Sequence, residues 1–518
     1  MLLIFGLGIS AKAQTPLTPQ QAVKGMARGI NLGNSLDAYP GDERSWGNPL
    51  LQASFFADLK KAGFDAVRIP ITWGYNGRTS TSPPYTINTT FMDRVDSVVT
   101  WGLENGLFVI INAHHEVWLK DTLADTKPAD SAGVQSCIAR FGSIWSQIAA
   151  HFQNKSDSLI FEILNEPDPA PQAAVNALNA QVLRIIRRTN PTRIVSYSGY
   201  MWSNYQQLLS AEIPDSSDKY LFGYYHSYDP WPFGLNGGTT SNANISSTIG
   251  SELAQAAGWS QKTGIPVVLG EYGYINTCDY NPRMFAYATV VDQALRQGIA
   301  PFAWDDGGSF TIFNRGNGTS NEIKDILVHT YPQSPTGLQI SQVGKAIELQ
   351  WANRDTAQDS IIIQRRVNSG SFLDLAEVGP TVSQFTDSTA SGGTSCYYRL
   401  KVITTDSVEM QSYPIMISVT ATRVVEQQDG VHRFQLYDSY PNPFNPSTTI
   451  RYDLAENSFV SLKVYDVLGR EVKTLVGQRE IAGDHSVTFN AADLPSGVYY
   501  YRLRCGSYTE TKKLLLLR

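Results

Sequence analysis

The chain is poor in cysteine and in charge. Only 4 cysteines occur in 518 residues, and Cys137, Cys278, Cys396 and Cys505 show no C-x-x-C spacing. They compose neither a zinc site nor a disulfide framework and are expected as buried or incidental thiols. Charged residues amount to 17% and the formal net charge is -6, so no basic face is offered to nucleic-acid phosphates. Long apolar runs are also missing. Residues 2–9 are apolar but too few to cross a bilayer, and no membrane span is expected. Followed by Ala11-Lys12-Ala13, this run reads as a secretory signal over residues 1–13, cut after Ala13. No Lys or Arg precedes it, a departure from the signal pattern that would be met if Met1 stood inside a longer signal. A G-x-S-x-G elbow for serine-triad chemistry is absent. The dinucleotide-like Gly6-Leu7-Gly8-Ile9-Ser10-Ala11 lies in the signal without a βαβ context and is set aside.

What is present is a long, ordinary globular composition. Hydrophobic residues make up 42% of 518, more than one core can hold, so two to four domains are expected. Between residues 25 and 331 one theme repeats: a short β-branched run, a turn, then a helix-like stretch. Strands are expected at 29–33, 66–70, 108–112, 159–164, 193–198, 221–225, 266–270 and 300–304. Residues 51–62, 91–105, 137–152 and 174–189 carry apolar side chains at helical spacing. Eight such units predict an α/β chain with a parallel (β/α)8 barrel over residues 20–332. In that fold, chemistry sits at the C-terminal ends of the strands.

Past Tyr331 the pattern changes to alternation, as in Ile347-Glu348-Leu349-Gln350-Trp351 and Tyr398-Arg399-Leu400-Lys401-Val402. Residues 334–421 are therefore expected to form an antiparallel β-sandwich, similar to a fibronectin type III domain. A polar linker, 421–432, leads to a third, all-β unit at 434–518. It opens on Tyr440-Pro441-Asn442-Pro443-Phe444-Asn445-Pro446. It continues through a turn at Asp466-Val467-Leu468-Gly469-Arg470 and the strand Gly497-Val498-Tyr499-Tyr500-Tyr501 to Lys512-Lys513-Leu514. This combination resembles the C-terminal sorting domain of the bacterial type IX secretion pathway. The resemblance implies an address read by secretion machinery and a protein that is secreted or attached at the cell surface.

The most informative segment is Leu159-Ile160-Phe161-Glu162-Ile163-Leu164-Asn165-Glu166-Pro167. An apolar strand ends in Asn-Glu-Pro, and Pro167 has no N–H with which to continue a ladder. A second strand, Pro266-Val267-Val268-Leu269-Gly270-Glu271, also ends in Glu. By count these are the fourth and seventh strands, so both carboxyls reach the barrel mouth. Two carboxyls flanking one bond, one a proton donor and one a nucleophile, are what glycoside cleavage requires. Aromatic residues at 11% suit sugar stacking and all-β modules equally well.

Several further stretches complete a pattern. They are Arg28-Gly29-Ile30-Asn31-Leu32-Gly33-Asn34, Ser45-Trp46-Gly47-Asn48, Ala62-Gly63-Phe64-Asp65-Ala66-Val67-Arg68-Ile69-Pro70, Asn112-Ala113-His114-His115, His226-Ser227-Tyr228 and Trp304. With Asn165-Glu166-Pro167 and Gly270-Glu271, they make residues 25–331 resemble a family 5 glycoside hydrolase of the cellulase clan. The resemblance implies Glu166 as acid/base and Glu271 as nucleophile, with Arg68 keeping Glu271 ionised. It implies that Asn165 contacts the sugar 2-hydroxyl, that Tyr228 donates to Glu271, and that His226 orients the acid/base side. Substrate contacts are expected from Asn31, Arg68, His114, His115, Asn165, His226, Tyr228 and Trp304, with Trp118, Trp202 and Trp231 as further stacking residues. Asp305 and Asp306 are where discrimination between sugars is expected.

Adjacent histidines at a strand end point to opposite sides, so His114 and His115 make a poor metal pair, and no metal or cofactor is expected. The double duty of Glu166 calls for a pKa raised by burial and by Glu271. The expected activity is retaining endo-β-1,4-glucanase action by double displacement. The polymer partner is cellulose, mixed-linkage glucan, xyloglucan or mannan, and a monomer is expected. The rivals are a β-mannanase or dual glucan/mannan enzyme, and a catalytically silent polysaccharide-binding surface protein. The sandwich is expected to be a spacer.

Overall fold

The computed structural model describes residues 15–75, 77–124, 132–354, 360–404, 407–420 and 433–517. The expected signal at 1–13 lies outside these residues, as does the whole of the expected linker at 421–432. Two compact units divide the chain, one ending at Thr422 and one beginning at Arg423.

The first unit starts with eight parallel strands that close on themselves: β1 (Gly29–Asn31), β2 (Ala66–Ile69), β3 (Phe108–Asn112), β4 (Leu159–Glu162), β5 (Val195–Tyr197), β6 (Leu221–Ser227), β7 (Val267–Tyr272) and β8 (Ala300–Ala303). Each pairs with its successor, and β8 returns to β1. The strands are buried on both faces, which is why they read as near-continuous apolar runs. Helices cover the outside with one apolar stripe each. Thr89–Glu104, for example, buries Met92, Val95, Val98, Val99 and Gly102. The helix Ala53–Ala62 stops at Gly63, whose φ of 105° is the left-handed cap that glycine adopts without strain.

Two strands run further than their apolar pattern suggests. β6 continues through His226 to Ser227, and β7 continues through Glu271 to Tyr272. A register shift between Tyr225 and His226 in the β6–β7 pairing brings His226 opposite Glu271, and the β7–β8 pairing shifts in turn between Leu269 and Tyr272. Such irregularities re-aim side chains at the rim of a barrel. β4, by contrast, stops at Glu162, so Asn165 and Glu166 leave the ladder before they turn into the mouth.

The same unit continues into two antiparallel sheets. One has the order β13 (Gln384–Asp387), β10 (Ala346–Ala352), β9 (Thr336–Val343). The other has β12 (Leu373–Val378), β11 (Ile361–Val367) and β14 (Ser395–Ile403), with β15 (Glu409–Gln411) and β16 (Ile415–Ser418) both paired to β14. This sandwich packs on the barrel helices Tyr280–Arg296 and Glu322–His329. Phe285 meets Tyr413 with ring centroids 5.3 Å apart, and Tyr280 meets Tyr397 at 5.1 Å. Arg366–Glu322 at 3.1 Å, Arg399–Asp325 at 2.8 Å and Arg354–Asp292 at 2.7 Å ring the contact.

The second unit has its own core and two more antiparallel sheets. Their orders are β17 (Gln435–Leu436), β18 (Ser447–Leu454), β21 (Gly483–Asn490) and β20 (Glu471–Glu480), β19 (Ser458–Tyr465), β22 (Gly497–Cys505), β23 (Tyr508–Leu516). All four cysteines are free and buried. Among the described residues no helix is long and apolar enough to cross a membrane.

Candidate active site

The site is built around one arginine. Arg68 points from β2 into the barrel and is completely buried. Its Nε and Nη2 donate to Glu162 Oε2 and Oε1 at 2.7 and 2.5 Å. Nη1 donates to Glu271 Oε1 at 2.6 Å and to Asn31 Oδ1 at 2.8 Å, and Nη2 donates also to Asn165 Oδ1 at 2.8 Å. All five N–H bonds of the guanidinium are thereby used. Burial works against the charge, but the carboxylates of Glu162 and Glu271 outweigh it and hold Arg68 above its ordinary value. Buried charges are tolerated when they are paired and fully hydrogen-bonded in this way.

This geometry moves Asn31 and Arg68 out of the substrate-contacting set. Asn31 is fully buried, and its amide donates to the carbonyls of Gly270 and Phe302 at 2.9 and 3.2 Å while its oxygen receives Arg68. Arg68 holds the carboxylates from beneath the cleft, Asn31 holds Arg68, and neither has surface left for a sugar.

Above Arg68 the two strand-end glutamates meet across His226. His226 Nδ1 lies 2.9 Å from Glu166 Oε1 and 3.6 Å from Glu271 Oε2. One carboxylate oxygen of each glutamate and a His226 nitrogen all lie within 4.8 Å of one another. Tyr228 donates its hydroxyl to Glu271 Oε2 at 3.0 Å. The side chain of Glu166 is 25% exposed and that of Glu271 only 5%, so one is reachable from water and the other is shielded. Asn165 is buried with its oxygen fixed on Arg68, which turns its NH2 group away from the guanidinium.

The electrostatics of the site differ from the expectation for Glu166. Burial raises its carboxyl, but the hydrogen bond and charge of His226, with Lys120 and Arg68, outweigh burial and hold it below its ordinary value. Burial lifts Glu271 above its own, with His226 and Arg68 opposing and Glu166 adding to the rise.

The surrounding cleft corrects further expectations. His114 and His115 do not diverge. β3 ends at Asn112, so both lie past the strand, and their rings pack edge-on with centroids 4.4 Å apart. Trp304 lies parallel to His114 at 5.8 Å and 5°. Gly33 is required opposite, because a β-carbon there would overlap the Trp304 indole. His115 also touches Trp46 at 5.3 Å and Tyr39 at 5.9 Å.

Asp305 faces away from the cleft. It is fully buried and accepts from the N–H groups of Gly307 and Phe313 at 2.9 and 3.1 Å, so it shapes the following loop. Asp306 does likewise for Gly308 and Phe310. Trp118 gives its indole N–H to Glu116 at 2.7 Å and has the Arg140 guanidinium 3.9 Å over its ring, which occupies a stacking face. Trp202 and Trp231 remain open, at 55% and 65% exposure. Trp202 stands on a turn in which Met201, Trp202 and Ser203 all have positive φ, of 47°, 53° and 55°, a strained conformation for non-glycine residues. Ser203 Oγ ties that turn to the Asn165 carbonyl at 3.0 Å.

Glu162, Asn112 and Lys120 carry weight in the site without having been singled out from the sequence. For Glu162 the available signal was an acid inside an apolar strand, which must find a cation once buried.

Residues 26–309 match the family described as Cellulase (glycosyl hydrolase family 5). Residues 438–517 match the family described as Secretion system C-terminal sorting domain. The chain is 38% identical over 326 residues to Endoglucanase H of Acetivibrio thermocellus, covering 61% of this chain and 34%, about a third, of that protein. It is 33% identical over 333 residues to Endoglucanase B of Clostridium cellulovorans, covering 58% of this chain and 72% of the relative. A solved hyperthermophilic endo-β-1,4-glucanase in complex with substrate aligns with a TM-score of 0.55 at 30% identity, over 60% of this chain and 99% of that one. A tri-modular endo-β-1,4-glucanase from Bacillus licheniformis complexed with cellotetraose aligns over 97% of this chain and 100% of that one. Its TM-score is 0.64 at 23% identity, a likeness of fold alone.

Proposed function

The chain belongs to the cellulase family of glycosyl hydrolases, family 5, and from that premise we propose that it is a retaining endo-β-1,4-glucanase working by two displacements. It is a glycoside hydrolase of the endoglucanase kind, and its sorting unit makes it a secreted or cell-surface protein. The finer reading rests on one observation. Two strand-end carboxyls come within 4.8 Å of each other, and only one of them is clamped by an arginine and a tyrosine. Retaining enzymes hold their carboxyls about 5–5.5 Å apart, whereas inverting enzymes need roughly 6.5–9.5 Å to admit a water.

Glu271, paired with Arg68 and aimed by Tyr228, attacks the anomeric carbon while Glu166 protonates the departing oxygen. Burial favours the protonated form of Glu166, against the hydrogen bond and charge of His226. Glycosylation then erases the charge on Glu271. Glu166 takes a proton from the incoming water, and its greater exposure lets that water approach. The NH2 group of Asn165 is turned toward the sugar 2-hydroxyl, a contact that strengthens in the oxocarbenium-like state. Trp304 supplies the platform beneath the sugar at the cleavage point. The polymer partner is a β-linked glucan, and the sorting unit's partner is secretion machinery.

The test is reducing-sugar release from carboxymethyl cellulose, barley β-glucan, xyloglucan and mannan, by the wild type and by Glu271→Ala. Proton NMR of the first anomer released accompanies it. Glucan cleavage giving the β-anomer first, lost in the variant, is the expected result. Activity on mannan alone overturns the substrate, and the α-anomer first overturns the mechanism.

A further inference from the structure

His114 lies at the floor of the cleft between Trp304 and His115, and one of its nitrogens already has a partner. The Asn112 amide nitrogen is 3.1 Å from His114 Nδ1. Which atom of that amide is nitrogen follows from its other contacts. The Ile71 N–H donates to Asn112 Oδ1 at 3.1 Å, so that end must be the oxygen. The opposite end lies 2.8 Å from Glu162 Oε1, a carboxylate already clamped by Arg68, so that end must be the NH2 group. Network partners of this kind assign an amide without ambiguity. Its two hydrogens go one to Glu162 and one to His114 Nδ1. Nδ1 is therefore an acceptor and carries no proton.

We infer that Asn112, itself held by Glu162, is a positioning residue that fixes His114 as the tautomer protonated on Nε2. His114 then presents one N–H to a hydroxyl oxygen of an uncharged sugar. This deepens the glucanase reading and rests on it for the identity of the acceptor. His114 Nε2 has no protein partner among the described residues, so its hydrogen is free for a ligand. The imidazole is also kept uncharged. Burial pulls its pKa well below the usual histidine value, and the charges of His115, Arg68, Lys120 and His226 add to that. A fixed neutral donor selects a hydroxyl, whereas an imidazolium would favour an acidic sugar.

The same proton placement bears on Asp37, His114 and His115, whose ligand atoms lie within 4.8 Å of one another. A cation bound at Nε2 needs a bare nitrogen there and a proton on Nδ1. The Asn112 NH2 group occupies the place of that proton, so the trio does not suit a metal ion.

Two measurements test the assignment. In the full-length chain labelled with 15N-histidine, the His114 signals, identified by their loss in His114→Gln, should show one protonated nitrogen, Nε2, between about pH 5 and 8. A proton on Nδ1, or an imidazolium in that range, overturns the inference. Kinetics with His114→Gln and His114→Asn form the second test, because the Gln amide reaches the place of Nε2 and the Asn amide that of Nδ1. On the glucan the wild type cleaves, the Asn variant should lose at least about tenfold more kcat/KM than the Gln variant. Equal losses, or a better Asn variant, overturn it. Should the wild type cleave no glucan, the substrate reading fails, while the NMR experiment still decides the tautomer.

Discussion

Arg68 and Glu162 meet edge to edge, Nε to Oε2 at 2.7 Å and Nη2 to Oε1 at 2.5 Å, both out of reach of water. This pair faces away from the reaction, yet it fixes the angle at which the remaining guanidinium N–H groups reach Glu271 and Asn165. Glu162→Gln keeps the shape and removes the charge. The Arg68 charge is then met by Glu271 alone, and the loss of the Glu162 charge costs about 1–3 kcal/mol, the scale of a weakened charge-assisted contact. The variant should unfold at lower denaturant by that margin and lose activity even where it stays folded. Urea unfolding followed by circular dichroism checks the first point, and initial rates on barley β-glucan check the second.

Tyr228 holds the other oxygen of Glu271 at 3.0 Å, and burial keeps its phenol protonated well past the usual tyrosine range. It is therefore a neutral donor at every working pH. Tyr228→Phe removes one hydrogen bond from the proposed nucleophile, and kcat should fall by roughly 10²-fold, the scale of losing one aimed donor. Because the phenol does not titrate, the alkaline limb of the pH–rate profile should keep its midpoint in the variant. A shifted limb would give Tyr228 a proton-transfer role.

Glu166 and Glu271, proposed as the catalytic pair, were legible because apolar strand patterns lead into both, and a barrel puts strand ends at its mouth. Arg68, Tyr228 and His226 were legible only through the family resemblance of the stretches that carry them. Glu162 was hidden in the same strand as Glu166, since only the closed barrel reveals that its side chain meets Arg68. Asp305 misled because it follows Trp304, whereas the backbone N–H groups of Gly307 and Phe313 draw its carboxylate into the loop. His114 and His115 misled because strand alternation was carried past Asn112, where β3 ends. The sandwich was visible in its period-two pattern. Its seat on the barrel was not, because that depends on half-buried pairs such as Arg399–Asp325, between residues 74 positions apart in sequence.

Gly33 gives a test of the sugar platform. A β-carbon at this position would overlap the Trp304 ring, which lies parallel to His114 at 5.8 Å. Gly33→Ala should therefore displace the indole and lower kcat/KM by about 10–10²-fold, the scale of a misplaced positioning group. Overpacking of this size also costs about 1–3 kcal/mol of stability. In Gly33→Ala combined with Trp304→Ala the overlap disappears, so the double variant should be no less stable than Trp304→Ala alone. A purely additive stability loss would place the strain elsewhere.

Glu252 supplies a pH-dependent stability test away from the catalytic pair. It projects from the helix Asn242–Thr263, is 4% exposed, and accepts the Ser227 hydroxyl at 2.8 Å. Burial, with the charge of Asp229 adding to it, pushes its carboxyl from the ordinary 4.5 up to about 8. The folded chain keeps this proton where the unfolded chain has released it. Between those two values the folded state binds more protons, so rising pH favours unfolding. The contribution is fully present below about pH 4.5, falls as pH climbs, and is gone above about pH 8, a swing of roughly 4–5 kcal/mol at most. Glu252→Gln carries no such proton and can still accept from Ser227. It should match the wild type in denaturant unfolding near pH 5 and exceed it by a few kcal/mol near pH 8. The same difference at both pH values would mean that Glu252 is ionised in the fold, with its charge met by a partner the variant lacks.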